Sequence, residues 1–248
     1  LSALRRKLYP TSLQEFELWV RKYKDAAVTF KEYFMYLASF CKRNDISWDS
    51  YKSLAMQEKI FSLENVIDKD ALDEERSKLI DAISQGARSD VLSRVLVLSL
   101  QFKINRVSSY EYHVYLERAA LERKIDLSQY SALTQYLEFI KSINEIREPV
   151  LFQEMKNLEN EIRHHFAKTS DAQALIELES RLRILDDLLH MRVTNQDFDE
   201  LTSHQSKFKY GDLIESLEKL AGQSEVSLFV NGLQSLDDVV GRFIRFYN

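Results

Sequence analysis

Two stretches of this sequence decide the fold: residues 32–54 read EYFMYLASFCKRNDISWDSYKSL, and residues 111–133 read EYHVYLERAALERKIDLSQYSAL. The second begins 79 residues after the first, and the agreement continues beyond both stretches without a gap. Most identities fall at helix starts or at the apolar spacing of one helix face. The sequence therefore predicts a duplicated helical unit. The thirteen identical pairs are Glu32/Glu111, Tyr33/Tyr112, Tyr36/Tyr115, Leu37/Leu116, Ile46/Ile125, Tyr51/Tyr130, Leu54/Leu133, Asn65/Asn144, Ile67/Ile146, Leu72/Leu151, Glu75/Glu154, Leu79/Leu158 and Ile83/Ile162.

Helix-start signals recur at the same position of the repeat. Thr29 stands three residues before Glu32, and Ser108 stands three residues before Glu111. In such a capping box the hydroxyl accepts a hydrogen bond from the glutamate N–H, and the carboxylate accepts one from the N–H of the capping residue. Each copy is predicted to contain three helices, and a weaker third copy begins at Thr194. The predicted helices are at about 29–44, 48–67 and 70–84 in the first copy, and at about 108–124, 127–146 and 149–168 in the second.

Glycine and proline are scarce, with 5 Gly and 2 Pro in 248 residues. Sheets and tight turns need such residues, so long helices are expected. The predicted fold class is all-α: an elongated helical bundle or repeat array of about ten helices, with a long antiparallel αα-hairpin formed by the stripes 151–166 and 175–189. A brief strand at Val226–Val230 is an alternative near the C-terminus. The predicted divisions are an N-terminal helix packed on the array (1–28), a first repeat unit (29–107), a second repeat unit including the hairpin (108–192), and C-terminal helices forming a partial third unit (193–248).

Charge and hydropathy exclude several classes of partner. The formal net charge of −5 argues against duplex nucleic acid, which needs a clustered basic face. The most apolar run, Val91–Leu100, contains Arg94 and is shorter than the ~20 residues that span a bilayer, so no transmembrane segment is expected. Because the sequence starts at Leu1 without a signal-like segment, we expect a fragment or a processed product, and the compartment stays open.

No residues are predicted to be catalytic, and no metal or cofactor is expected. The phosphate-loop, dinucleotide, zinc-protease, C-x-x-C and G-x-S-x-G motifs are all absent from the sequence. Glu161-x-x-His164 and Asp187-x-x-His190 have the spacing of metal sites in helical bundles. A hairpin turn near 169–170 would, however, set them roughly 13 Å apart along the helices.

The single cysteine, Cys41, allows no disulfide within the chain. Its counterpart in the second copy is Ala120. A position that accepts Cys or Ala indicates a small buried slot and not a catalytic nucleophile.

Tyrosine pairs and a leucine stripe are the candidate partner-binding residues. Tyrosines at i and i+3 predict either an aromatic groove for a peptide or helix, or packing between repeats, and packing is favoured. The leucines lie on the second hairpin helix, where a second chain could complete a seam. These residues are Tyr33, Tyr36, Tyr112, Tyr115, Leu178, Leu182 and Leu185.

The sequence favours a non-catalytic helical structural or protein-interaction module, serving as a scaffold or assembly subunit, because repeated helices offer extended surfaces. A protein partner or self-association is expected, whereas nucleic acid and a small-molecule ligand are not. The alternative is a helical enzyme or small-ligand-binding domain with a site between the two repeats, lined by Tyr, Glu and His. A membrane-surface helix at Leu1–Lys24 is a weaker alternative, because the acidic total charge counts against it.

Overall fold

The computed structural model describes residues 1–227 and 236–247, and this part of the chain contains thirteen α-helices and no strand. The prediction of an all-α protein is confirmed. Of the strand suggested at Val226–Val230, residues 226 and 227 have no regular structure and the rest lies outside the described residues. The helices are α1 Ser2–Leu8, α2 Thr11–Lys24, α3 Phe30–Arg43, α4 Lys52–Val66, α5 Lys69–Ser84, α6 Ser89–Lys103, α7 Ser109–Glu122, α8 Ser131–Glu145, α9 Glu148–Phe166, α10 Ser170–Leu189, α11 Asn195–Ser203, α12 Tyr210–Gln223 and α13 Leu236–Tyr247, with 3₁₀ turns at Leu127–Gln129 and Gln205–Phe208.

Pro10 divides the N-terminal segment, predicted as one helix, into α1 and α2. Its backbone is extended, with φ −64° and ψ 157°, and it immediately precedes the first residue of α2. Proline has no N–H to donate to the preceding turn, so α1 cannot continue through it. This division is one reason why the described helices outnumber the ten expected.

The predicted capping boxes are confirmed. Thr29 Oγ1 accepts from the Glu32 N–H at 3.2 Å, and Glu32 Oε2 accepts from the Thr29 N–H at 2.7 Å. Ser108 and Glu111 form the same pair of bonds, at 3.1 and 3.0 Å. Both caps satisfy backbone donors that the first helical turn leaves without a partner.

Helix ends also coincide at the 79-residue offset. Helices α3 and α7 both end in a residue with positive φ, 53° at Asp45 and 58° at Lys124. One residue later the N–H of Ile46 donates to a carbonyl five residues back, and that of Ile125 does the same, both at 3.0 Å. This is the bond that closes a helix with a left-handed residue. Helix α4 (52–66) and α8 (131–145) have identical bounds once 79 is subtracted from the latter.

The chain divides into two compact units, each described here by itself. Unit 1 comprises Leu1–Ile46 and Leu158–Asn248, and unit 2 comprises Ser47–Asn157. These divisions follow spatial contacts, whereas the predicted divisions follow sequence similarity, and the two sets of boundaries differ.

In unit 2, glutamates of one repeat cap a helix of the other. The first turns of α4 and α8 have no cap from their own N-cap side chains. Glu154 Oε2, from α9, accepts from the N–H groups of Ser53 and Leu54 in α4 at 2.7 and 3.2 Å. Glu75 Oε2, from α5, accepts from the Leu133 N–H in α8 at 2.9 Å. Glu75 and Glu154 are repeat counterparts, and so are Leu54 and Leu133.

A further contact in unit 2 joins a residue to its own repeat counterpart. Helices α4 and α8 pack together, and Lys59 Nζ lies 2.7 Å from Glu138 Oε1. These positions are 79 residues apart. Counterparts meet each other only where a two-fold relation passes between them, as at a symmetric dimer interface.

Each unit also packs a helix from one repeat against a helix from the other. In unit 1, Phe40 of α3 contacts Phe166 of α9, with ring centroids 5.6 Å apart. In unit 2, α7 packs on α5, and Leu79 and Leu116 belong to one buried core. The first helix of each copy therefore buries its apolar face on the third helix of the other copy.

Candidate functional site

Helix α6 in unit 2 is apolar on both sides. Val95 and Leu98 are buried, while four apolar residues at the helical spacing of the opposite side are 45–64% exposed. A surface helix of a globular protein normally turns polar residues to water. A contiguous exposed apolar surface of this kind marks a candidate interaction site. We call it the α6 face, and it consists of Leu96, Val97, Leu100 and Ile104.

The segment that carries the α6 face is basic, although the whole chain is acidic. Residues 88–106 contain four cationic side chains and one carboxylate, a net charge of +3 from +4 and −1, against −5 for the chain. The carboxylate, Asp90, lies 4.0 Å from Arg88. In the described part of the chain, no carboxylate lies within salt-bridge distance of the other three cations, Arg94, Lys103 and Arg106. Their charge is therefore free to act on a partner.

The counterpart of the α6 face on α2 has a different chemistry. The positions 79 residues earlier hold, in order, Glu17, Leu18, Arg21 and Asp25. Only Leu18 is apolar, and it is 50% exposed. The same helix of the repeat thus carries three charged residues in unit 1 and an open apolar surface in unit 2.

In unit 1 a short basic helix lies beside that charged surface. Helix α1 follows α2 through Gln14, whose Nε2 donates to the carbonyl of Tyr9 at 2.8 Å. Side chains of both helices line a shallow groove, including Arg5 and Arg6 of α1 and Glu15 and Glu17 of α2. The Glu17 carboxylate is among the charges that raise the pKa of Arg5, against the opposing effect of burial. A helix of complementary charge therefore accompanies α2.

A charged cleft of about 440 Å³ is the second candidate site, and it also lies in unit 1. Arg163 forms part of its wall, with Nε 2.6 Å from Glu17 Oε1 and Nη2 3.3 Å from Glu159 Oε2. Tyr33 Oη donates to Glu159 Oε1 at 2.8 Å. Burial opposes the charge of Arg163, but Glu17 and Glu159 outweigh it and raise its pKa. Burial and then the Glu159 carboxylate raise the pKa of Tyr33 well above its usual value.

A second ion pair fixes α1 against α10 along the same cleft. Arg5 Nε lies 2.6 Å from Glu179 Oε1, and Tyr9 Oη donates to Glu179 Oε2 at 3.1 Å. Burial and then the Glu179 carboxylate raise the pKa of Tyr9. These acids and bases are held in fixed ion pairs, an arrangement that stabilises helix positions and keeps each proton in place.

Three other cations of the cleft have no carboxylate within salt-bridge distance among the described residues: Lys24, Arg181 and Lys207. Arg181 Nη1 donates to the Lys207 carbonyl at 3.1 Å, which orients the guanidinium. Desolvation by the surrounding protein lowers the pKa of Lys24, and Glu159 acts against this effect. Glu177 also lines the cleft. The arrangement is able to attract a small anion, although acidic groups share the same surface.

The predicted tyrosines pack within their own units. Tyr33 and Tyr112 are buried, at 0 and 2% exposure, so a partner could reach them only if helices separated. Tyr36 is half-buried and stacks on Trp19 with centroids 4.4 Å apart. Tyr115 is half-buried, and burial raises its pKa.

The predicted leucine stripe lies on α10, where Leu178 and Leu185 are buried and Leu182 is half-buried. Helix α10 packs against α1, α11, α12 and α13 within unit 1. These neighbours supply the apolar surface that a second chain was expected to supply. A coiled-coil seam between α9 and α10 stays a prediction.

The buried slot at Cys41 is confirmed, because both Cys41 and its counterpart Ala120 are buried. Burial and then the charge of Glu161 raise the pKa of the Cys41 thiol to about 12. A thiol with this pKa is almost fully protonated at neutral pH and is a poor nucleophile. Among residues 1–227 and 236–247, no three His, Cys, Asp or Glu side chains lie close enough together to hold a metal ion.

The α6 face was not among the residues predicted to bind a partner. The run Val91–Leu100 was assessed for its length as a membrane span, and Arg94 was taken as an interruption. The signal that indicates the site is the lack of a polar side on the helix. At 100° per residue, Val95 and Leu98 fall opposite Leu100, so apolar residues cover both sides.

In the part of the chain that the structure describes, each helix is too short or too polar to cross a membrane. Compared with known proteins, the chain matches no family model, no curated protein and no solved structure.

Proposed function

We propose that this chain is a non-catalytic helical module that binds another protein and serves as a scaffold or assembly subunit. The observation that carries the proposal is the α6 face, with Leu96 and Leu100 63 and 64% exposed on a helix that is also apolar toward the core. Exposed apolar ridges of this kind are stabilised when a partner covers them.

The proposal includes an internal duplication with exchanged helices. Coincident helix ends, paired capping boxes and the reciprocal caps from Glu75 and Glu154 all support it. The Lys59–Glu138 pair is the contact expected beside an internal two-fold relation. A duplicated frame gives two equivalent helices, α2 and α6, on which different surfaces can be carried. We infer that the charged α2 surface serves the fold and the apolar α6 face serves a partner.

Site-specific photocrosslinking tests the binding role with a matched pair of positions. Val97 and Leu18 are repeat counterparts, exposed by 45 and 50%. A photoreactive phenylalanine is placed at one position or the other in the full chain, in the cells that produce it. We expect an adduct with another protein from position 97 and none from position 18. Equal adducts at both positions, or none at either, would contradict the proposal.

Small-anion binding is a second candidate function, favoured by the cations of the cleft in unit 1. Arg181 and Lys207 are joined by a hydrogen bond and have no acidic partner within salt-bridge distance in the described residues. Calorimetric titration with inorganic phosphate tests it, using the wild type and a variant with Arg181→Gln and Lys207→Gln. Heat of binding that disappears in the variant supports this function, and no heat from the wild type removes it.

A further inference from the structure

We propose that the α6 face binds an amphipathic helix of another protein, one whose apolar stripe is flanked by carboxylates. This inference rests on the proposed protein-binding function and goes further by assigning the shape and charge of the partner. Three observations carry it: the dimensions of the face, the charge of its surroundings, and the packing at its counterpart in unit 1.

The dimensions of the face fit one helix. Leu96, Leu100 and Ile104 follow at intervals of four residues and form a ridge. At 1.5 Å per residue this ridge is about 12 Å long, or just over two helical turns. Ridges with this spacing pack into the groove between side chains of a second helix. The amphipathic helices that bind as peptides present the same pattern of apolar anchors.

A membrane surface fits these dimensions poorly. Interfacial helices insert a broad apolar side, usually with aromatic anchors, and keep a basic border. Here exposed carboxylates stand at the N-terminal end of the face: the side chain of Asp90 is 73% exposed, and that of Glu122 on α7 is 62% exposed. Both act electrostatically on the same residue, Tyr115, so they share one neighbourhood. Anionic lipids would be repelled from that end of the face.

Charge excludes a second copy as the favoured occupant. Segment 88–106 carries +3, with Arg94, Lys103 and Arg106 unpaired in the described residues. Two such segments placed face to face would repel each other, because like charges across an interface are unfavourable. Carboxylates beside the apolar stripe of the partner would instead pair with these cations. Such pairing selects the partner and sets the orientation in which it docks.

The counterpart in unit 1 shows the same principle with the opposite sign. There the helix α2 contributes Glu15 and Glu17 to the groove, and the short helix beside it, α1, contributes Arg5 and Arg6. An acidic helix is thus accompanied by a basic one within the chain. In unit 2 the equivalent helix α6 is basic, so the complementary companion is acidic.

Fluorescence anisotropy with designed peptides tests the inference on the full chain. The probe is a labelled helix-stabilised peptide of about 18 residues, long enough to fold, with leucines at i, i+4 and i+8 and glutamates on both flanks. A matched probe has lysines in place of the glutamates. The face variant carries Leu96→Glu, Leu100→Arg and Ile104→Asp, which are the residues of the first repeat at these positions. The control variant is Leu18→Glu, and circular dichroism melting verifies that both variants fold.

We expect the acidic peptide to bind the wild type and the Leu18→Glu variant equally, and the face variant at least about tenfold more weakly. Added salt should weaken binding, and the lysine peptide should bind at least about tenfold more weakly than the acidic one. Equal binding of both peptides to wild type, or no loss in the face variant, overturns the inference. Flotation of the chain with phosphatidylserine vesicles, lost in the face variant, also overturns it in favour of a membrane. If position 97 still crosslinks to a protein while the acidic peptide fails to bind, only the assigned partner chemistry is wrong and the proposed function stands.

Discussion

Replacing Glu154 with methionine should destabilise the start of α4 and leave the start of α8 unchanged. Glu154 Oε2 accepts from two first-turn amides, those of Ser53 and Leu54, which have no side-chain cap of their own. Loss of a helix cap is worth about 1 kcal/mol. Loss of a partly buried negative charge at a helix N-terminus removes roughly a further 1 kcal/mol. Methionine keeps the length and the helix propensity of the side chain, so α9 itself should be little affected.

Amide hydrogen exchange is the assay, because it measures each N–H group separately. A loss of about 2 kcal/mol should raise the exchange rates of the Ser53 and Leu54 amides roughly 30-fold, since 1.4 kcal/mol is tenfold. The Leu133 amide should not change in this variant. Glu75→Met should give the reverse pattern: faster exchange at Leu133, by about tenfold for one lost bond, and no change at Ser53.

The matched control is Glu74→Met, next to Glu75 on α5. Glu74 is exposed and pairs only with Lys78 on the surface of its own helix, so none of the three amides should respond. If Glu154→Met and Glu75→Met accelerate the same amides, or accelerate none beyond the Glu74 variant, the reciprocal caps do not form and the exchange between repeats is refuted.

Three further predictions follow from buried side chains. Burial lowers the pKa of His113 from 6.5 to about 4, so the unfolded chain binds the proton first and stability should fall by about 3 kcal/mol between pH 6.5 and 4; urea unfolding over this range should show the loss in wild type but not in His113→Phe, which copies its counterpart Phe34. Cys41→Ala, which copies Ala120, should cost about 1 kcal/mol or less, and the native thiol should not react with Ellman's reagent at pH 8 unless the protein is unfolded; rapid native labelling would show that it is accessible. Arg163→Met should destabilise unit 1 by about 3–5 kcal/mol because it leaves two buried carboxylates without their cation, and a thermal midpoint equal to wild type would contradict this.

Local signals explain why much of the fold could be predicted. A hydroxyl three residues before a glutamate fixes a helix start, and the boxes at Thr29 and Ser108 form as expected. The scarcity of glycine and proline likewise indicates the all-helical class. Pro10 has equally local consequences, but its position inside a segment otherwise typical of one helix led to the prediction of a single element.

Contacts across the chain could not be read from periodicity. The spacing of Tyr33 and Leu178 places each on an apolar helix side, but spacing does not say whether the chain itself or a partner covers that side. The caps from Glu75 and Glu154 join residues far apart in sequence, and the only sequence signal was an identical glutamate in both copies. The α6 face was missed because its residues contribute to one apolar run, in which the buried and exposed sides are not separated by polar residues.

The mass of the chain in solution, measured by light scattering on a sizing column over a concentration series, tests the central claim most directly. The claim is that the α6 face is reserved for a partner other than a second copy. The wild type and the variant with Leu96→Glu, Leu100→Arg and Ile104→Asp should both elute with the monomer mass of 29.2 kDa at every concentration. A wild type that reaches twice this mass as concentration rises, while the variant stays monomeric, would show that the face pairs with itself and would contradict the account.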